Sequence, residues 1–148
     1  MSMLMNINQE WLEEVLKLRC FCIVHELDGY KQLYGIQNSD LICKYNGIGP
    51  SFFPKKIRNE IDNLNPALKP AALIHDLDWD ENDGSEEWYH KSNVRFLDNG
   101  CRCAKVKYGW YNPLRYFVVR KAKLFYRAVE THLGWYAYQQ VSKKNENK

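Results

Sequence analysis

The segment from Pro70 to Trp79 (PAALIHDLDW) constrains the fold more than any other part of the chain. It is an apolar run that ends by placing a histidine next to an aspartate, His75 and Asp76. Successive residues of a helix point about 100° apart, so these two side chains would face different neighbours. We therefore expect any chemistry of this protein to lie on this helix.

Cap residues predict where three helices begin. Asn65-Pro66, Ser85-Glu86 and Asn112-Pro113 each place a favoured N-cap before a residue suited to the first turn. The first start leads into the segment that carries His75. The second begins a helix that is expected to falter at Gly100, and the third a helix that stops at Gly134.

Apolar residues recur at three- and four-residue steps elsewhere as well. This spacing predicts a helix from Gln9 to about Leu27 and another over Ser51–Leu64. In the helix after Asn112, the predicted apolar face includes Leu114 and Phe117. The fold class is therefore expected to be mostly α. The prediction is a single domain over residues 1–148, with a helical extension at 1–42, a core at 43–138 and a frayed tail at 142–148.

Composition narrows the protein class. The 148 residues are 45% hydrophobic and 26% charged, as in globular proteins, and none of the apolar runs reaches the length of a membrane span. The net charge of +3 is too small to predict a nucleic-acid partner. The first eight residues carry no basic charge and do not resemble a secretory signal. With an odd count of five cysteines, this favours reduced thiols and a cytoplasmic location.

The residues on and before the His-Asp helix are those that a hydrolase needs. An imidazole can take a proton from water near neutral pH, and a carboxylate with carbonyls of a glycine-rich loop can hold a hard cation. Such a loop is expected from Cys43 to Pro50, where Gly47 and Gly49 lie. The alternative is a plain turn before a helix with an ordinary buried histidine.

The order of these pieces resembles the phospholipase A2 family, in particular its small prokaryotic and phage-encoded branch. The similarity rests on Gly47-Ile-Gly-Pro50, on Ala-Leu-Ile-His75-Asp76 with Trp79 three residues later, and on Asn93-Val-Arg-Phe96. A late segment, Tyr126-Arg-Ala-Val129 followed by Gly134, completes the order. The resemblance covers roughly residues 43–138. It implies a core of two antiparallel helices, preceded by a calcium loop, with an extra N-terminal helix in this chain.

The resemblance also implies roles for single residues. His75 would be the general base, Asp76 the calcium carboxylate, and the carbonyls of Tyr45, Gly47 and Gly49 further calcium ligands. Trp79 and Phe96 would line the substrate pocket. The implied reaction is calcium-dependent hydrolysis of a glycerophospholipid acyl ester, at a phospholipid or membrane surface. The implied location is cytoplasmic or phage-associated.

Three departures from the family matter. The helix cysteine of the family is Ala72 here, so its usual disulfide is absent, and the stretch between the loop and His75 is longer than in animal secreted enzymes. The dyad aspartate of the family is Asn93 here, which leaves the activity open. A neutral amide accepts a hydrogen bond from the imidazole but adds no charge, which predicts low turnover. The alternative is a catalytically degenerate domain of bacterial or phage origin that serves as a binding or structural module. The oligomeric state is not predicted.

Two further groups of residues, one acidic and one basic, each have a functional and a plain structural interpretation. Asp76, Asp78, Asp80 and Glu87 match part of an EF-hand spacing, although we favour a solvated helix end for this acidic cluster. Tyr116, Arg120, Lys123 and Arg127 share one helical face. We interpret this face as a solvated basic stripe, with contact to anionic lipid as the alternative.

Overall fold

The computed structural model describes residues 2–45 and 65–147, and within these ranges every regular element is a helix. There are six α-helices and two short 3₁₀-helices in the described chain. The α-helices are α1 (Ser2–Val24), α2 (Asn38–Lys44), α3 (Lys69–Asp80), α4 (Glu86–Lys107), α5 (Pro113–Val129) and α6 (His132–Glu146). The 3₁₀-helices are Tyr30–Tyr34 and Pro66–Leu68. The mostly α class is confirmed. The predicted helix over Ser51–Leu64 lies outside the described residues.

All three predicted N-caps are confirmed. The side chains of Asn65, Ser85 and Asn112 each accept a hydrogen bond from a backbone N–H two or three residues further on, at 2.9, 3.1 and 3.0 Å. Each bond satisfies a donor that has no partner within the helix itself. These local signals therefore set the starts of the Pro66 turn, α4 and α5.

Several predicted boundaries are wrong. Helix α1 begins at Ser2 and ends at Val24, and α2 extends to Lys44 into the segment predicted as a loop. Helix α4 continues through Gly100 to Lys107. A Cβ at Gly100 would lie 2.9 Å from the Cβ of Ala122 on α5, so this glycine allows two helices to approach closely.

The C-terminal region also differs from the prediction. Instead of one helix to Leu133 and a frayed tail, α5 ends at Val129 and α6 continues to Glu146. Gly134 lies in the first turn of α6, where a Cβ would come within 1.8 Å of the carbonyl oxygen of Val129. Gly134 therefore permits the tight corner between two helices and does not end one.

Helices α3 and α4 form the predicted antiparallel pair. Trp79, late in α3, contacts Tyr89 early in α4, with ring centroids 6.2 Å apart. His75, one turn earlier in α3, contacts Asn93, one turn later in α4. Helices α1 and α6 pack on α3, while α5 packs on α4. The pair is therefore central and lies between its neighbours.

The apolar face of α5 is partly mispredicted. Val118, Ala122, Phe125 and Val129 are buried, whereas Leu114 and Phe117 are each 49% exposed. The last two lie in the first turns of α5, next to the end of α4. Periodicity identifies the face of a helix that packs, but it does not show how far along the helix the neighbours extend.

The prediction of a solvated acidic cluster is wrong for Asp78. This residue is 1% exposed and accepts hydrogen bonds from Arg95 at 2.7 Å and Gln32 at 2.9 Å. Burial raises the pKa of its carboxyl, and the Arg95 charge opposes that shift. Asp76, Asp78 and Asp80 lie within α3, where alternate residues point about 200° apart. They do not converge on one ion, so the EF-hand interpretation is wrong.

Candidate functional site

His75 lies in an aromatic enclosure between α3, α4 and α5. The residue is 4% exposed, and its ring is 4.8 Å from Trp79, 5.5 Å from Phe96 and 5.6 Å from Phe125 between centroids. The Phe96 and Phe125 rings meet it edge-to-face, an arrangement that aromatic pairs favour. Both predicted pocket residues, Trp79 and Phe96, therefore contact the imidazole. That they contact a substrate stays a prediction.

The predicted contact between His75 and Asn93 is present. Nε2 of His75 lies 2.8 Å from Oδ1 of Asn93, and the amide is fully buried. The other end of that amide, Nδ2, donates to Oε1 of Glu130 at 3.1 Å. Because the carboxylate of Glu130 only accepts hydrogen bonds, the Asn93 nitrogen must face it and the Asn93 oxygen must face the histidine.

This orientation determines the tautomer of the imidazole. An amide oxygen is an acceptor, so Nε2 of His75 carries the proton and donates it. In the neutral ring, Nδ1 then holds the lone pair. The structure thus places the basic nitrogen of His75 away from Asn93, as a general base requires.

Glu130 is the member of this hydrogen-bonded cluster that sequence reasoning missed. It follows the last residue of α5, and its second oxygen lies 2.7 Å from Nδ1 of His90. Its carboxylate is 18% exposed at a surface cleft of about 560 Å³ next to the start of α6. A negative charge therefore lies one amide away from the imidazole. One sequence signal was available, since Glu130 is the only acidic residue between Asp98 and Glu146.

Tyr89 holds the end of α5 in place and so helps to position Glu130. Its hydroxyl donates to the backbone carbonyl of Val129, the residue before Glu130. Burial raises the pKa of the Tyr89 phenol, and the nearby Glu130 charge raises it further. The Tyr89 hydroxyl therefore stays protonated as a donor.

The environment of His75 favours its neutral form. Burial lowers the pKa of the imidazole from 6.5 to about 4, while the hydrogen bond to Asn93 opposes that shift. The protonated ring would lack solvation by water in this buried position, which is unfavourable without an adjacent opposite charge. At neutral pH the ring is therefore uncharged and able to accept a proton, but it is a weak base.

The predicted calcium residues are only partly within the described chain. Asp76 lies on α3 beside His75, and its charge, with burial the larger cause, raises the pKa of the Tyr45 phenol. The Asp76 charge therefore acts on the phenol end of the Tyr45 side chain. Gly47 and Gly49 lie outside the described residues. In ranges 2–45 and 65–147, no three His, Cys, Asp or Glu side chains group as metal ligands.

The cysteines do not form a site. All five are unpaired, with Cys22 and Cys103 buried and Cys20 and Cys43 exposed. Burial raises the pKa of the Cys103 thiol to about 12, which keeps it protonated and unreactive.

Comparisons add no relative: no protein-family model, curated protein or solved structure matches this chain significantly. Among the described residues, no helix combines the length and the hydropathy of a membrane span.

Proposed function

We propose that this protein is a phospholipase A2-like hydrolase that cleaves an acyl ester of a glycerophospholipid. The observation that carries the proposal is the hydrogen-bonded chain from Glu130 through Asn93 to His75. It orients the imidazole, leaves the lone pair on Nδ1, and supplies a negative charge behind the ring. These are the tasks of the carboxylate partner in histidine-based hydrolysis.

In the proposed reaction, Nδ1 of His75 accepts a proton from water while the water oxygen attacks the ester carbonyl carbon. The bond from that carbon to the glycerol oxygen then breaks, and the imidazolium returns the proton to the departing oxygen. The products are a fatty acid and a lysophospholipid. Asn93 holds the ring through Nε2, and the rings of Trp79 and Phe96 pack against it.

Calcium belongs to this proposal as a bound cofactor. Asp76 and the carbonyls of Tyr45, Gly47 and Gly49 would hold the ion, as the resemblance implies, and Asp76 lies on α3 next to the proposed base His75. When bound, calcium polarises the ester carbonyl.

One observation favours the second candidate, a degenerate binding or structural module. The imidazole is 4% exposed and its pKa is about 4, so the charged form needed during attack is disfavoured by roughly 3 kcal/mol relative to a free histidine. A ring in this setting can also serve as a packing residue that satisfies Asn93.

Fatty-acid release from phosphatidylglycerol vesicles distinguishes the two candidates. We expect release with calcium, loss of release with a chelator, and loss in His75→Gln. His25→Gln, a change at an exposed histidine, should retain wild-type rates. Thermal melts should accompany each assay. A folded, calcium-loaded wild type that releases no fatty acid would exclude the hydrolase and leave the module.

A further inference from the structure

The connection between α4 and α5 forms an apolar projection, which we call the tip and define as residues 105–117. Six large apolar side chains there are each at least 45% exposed: Val106, Trp110, Tyr111, Leu114, Tyr116 and Phe117. Trp110 and Tyr111 are the most exposed, at 75% and 77%. Single exposed apolar residues are ordinary on a protein surface, but a contiguous group of aromatic rings marks a binding surface.

Hydrogen bonds fix the backbone turn of the tip and the ring of Tyr116. Asn112 caps α5, and its backbone N–H donates to the carbonyl of Gly109 at 3.0 Å. The hydroxyl of Tyr116 donates to the carbonyl of Trp110, also at 3.0 Å. The ring of Tyr111 contacts that of Trp110 edge-to-face, with centroids 5.9 Å apart. The tip is therefore an ordered element that presents apolar surface without burying it.

The tip lies in the most basic part of the chain. Residues 99–129 contain eight basic and no acidic residues, while the other 13 basic and 18 acidic residues give the rest of the chain a charge of −5. The overall charge of +3 conceals this separation. The eight are Arg102, Lys105, Lys107, Arg115, Arg120, Lys121, Lys123 and Arg127. Within the described part of the chain, none of them forms a salt bridge.

We propose that the tip docks onto the surface of an anionic phospholipid bilayer. Tryptophan and tyrosine favour the boundary between headgroups and acyl chains, and each lysine or arginine near an anionic leaflet adds attraction. Lys121 lies over the ring of Phe117, 5.6 Å from its centroid. A lysine so placed can reach phosphate while the ring enters the interface.

The charge and the side-chain types disfavour other occupants. A second copy of the chain would bring two strongly basic surfaces together, which repel each other. Nucleic acid would satisfy the charge, but Val106 and Leu114 offer it neither a hydrogen bond nor a stacking ring. The acyl boundary of a bilayer accepts both the aliphatic and the aromatic side chains.

The tip is separate from the site around His75. Asn93 and Lys107 are fourteen residues apart on α4, which is about 21 Å along the helix. The docking surface therefore does not depend on the proposed hydrolysis. An assay with ether-linked lipids, which contain no acyl ester, measures it alone.

The test is co-sedimentation with ether-linked vesicles of phosphatidylcholine, with and without phosphatidylglycerol. We expect wild-type binding only to the anionic vesicles, weakening as salt rises. Lys105→Gln with Lys107→Gln should reduce the partition coefficient ten-fold or more, since each charge contributes about five-fold. Lys143→Gln with Lys144→Gln, which removes the same charge from exposed positions on α6, should have little effect.

The apolar contribution is tested by a second pair of variants. Trp110→Ser with Tyr111→Ser should reduce binding at least ten-fold, whereas Tyr34→Ser, at a site that is 63% exposed, should not. Vesicles should shift tryptophan emission to the blue in the wild type but not in Trp110→Phe. The proposal is overturned if both tip variants bind like the wild type, or if charged and neutral vesicles bind equally. The proposal is also overturned, in favour of nucleic acid, if the tip variants lose binding to duplex DNA but bind vesicles like the wild type.

Discussion

The influence of the Glu130 carboxylate on His75 can be tested by placing a negative charge at position 93 instead. Asn93→Asp restores the carboxylate that the phospholipase A2 resemblance leads one to expect, and from the sequence alone it should raise activity. In the structure, however, Nδ2 of Asn93 lies 3.1 Å from Oε1 of Glu130. The substitution would place two carboxylates in contact. At an effective dielectric constant of about 20, their repulsion at this distance is on the order of 5 kcal/mol.

Repulsion of this size corresponds to more than three pKa units, so the two carboxylates would share a proton near neutral pH. The pair would keep a single negative charge, as in the wild type. We therefore expect Asn93→Asp alone to leave the pKa of His75 close to its wild-type value. The rate of hydrolysis should then stay within about three-fold of wild type. The fold should be less stable at neutral pH because the pair must bind a proton that the unfolded chain does not bind there.

Adding Glu130→Gln removes the repulsion. The new carboxylate at position 93 would then carry the only charge, in direct contact with the ring at the 2.8 Å now observed to Asn93. The pKa of His75 should rise, and hydrolysis should increase by ten-fold or more, the lower part of the about 10²–10⁴ attributed to such groups. Glu130→Gln alone should reduce hydrolysis, because it removes the charge from the wild-type chain.

The assay is an NMR titration of the His75 ring in all four proteins, together with vesicle hydrolysis and thermal melts. Folding in each variant is checked by the melt. If Asn93→Asp alone raises the His75 pKa and the rate as much as the double variant does, Glu130 has no influence on the ring. The argument from the hydrogen-bonded chain would then be wrong.

Three further predictions concern the same helices. The pKa of His75 falls from 6.5 to about 4 on folding, so between these pH values the unfolded state binds more protons and stability rises with pH. His75→Leu should remove about 3 kcal/mol of that pH dependence in urea titrations, and parallel profiles for both proteins would contradict the burial argument. Gly134→Ala should destabilise by at least about 2 kcal/mol in thermal melts, since its Cβ would meet a carbonyl oxygen at 1.8 Å. Gly35→Ala, where no atom lies within 4 Å, is the control, and equal effects would refute the close approach. Asp76→Asn should abolish calcium binding in calorimetry whereas the exposed Asp83→Asn retains it; binding that survives loss of Asp76 would place calcium elsewhere.

Local signals predicted a large part of the fold. The starts after Asn65, Ser85 and Asn112 were predictable because a cap acts on N–H groups two or three residues away. The glycines Gly100 and Gly134 were misinterpreted as helix ends. Both are required by a close approach to another part of the chain, which a single stretch of sequence does not reveal.

The residues of the candidate site were likewise predictable from the sequence only in part. The sequence alone determined that His75 and Asp76 lie together on one helix, and the order of the motifs predicted that Asn93 faces the histidine. Only the tertiary structure decided which charge lies near this pair and how deeply the imidazole is buried. It brings Glu130 from the end of α5 to the amide, and it buries the imidazole so that its pKa falls to about 4. Among the helices of residues 2–45 and 65–147, it also leaves the side chains of the aromatic tip exposed. Charge and burial depend on which segments meet in space, and these contacts join residues far apart in the chain.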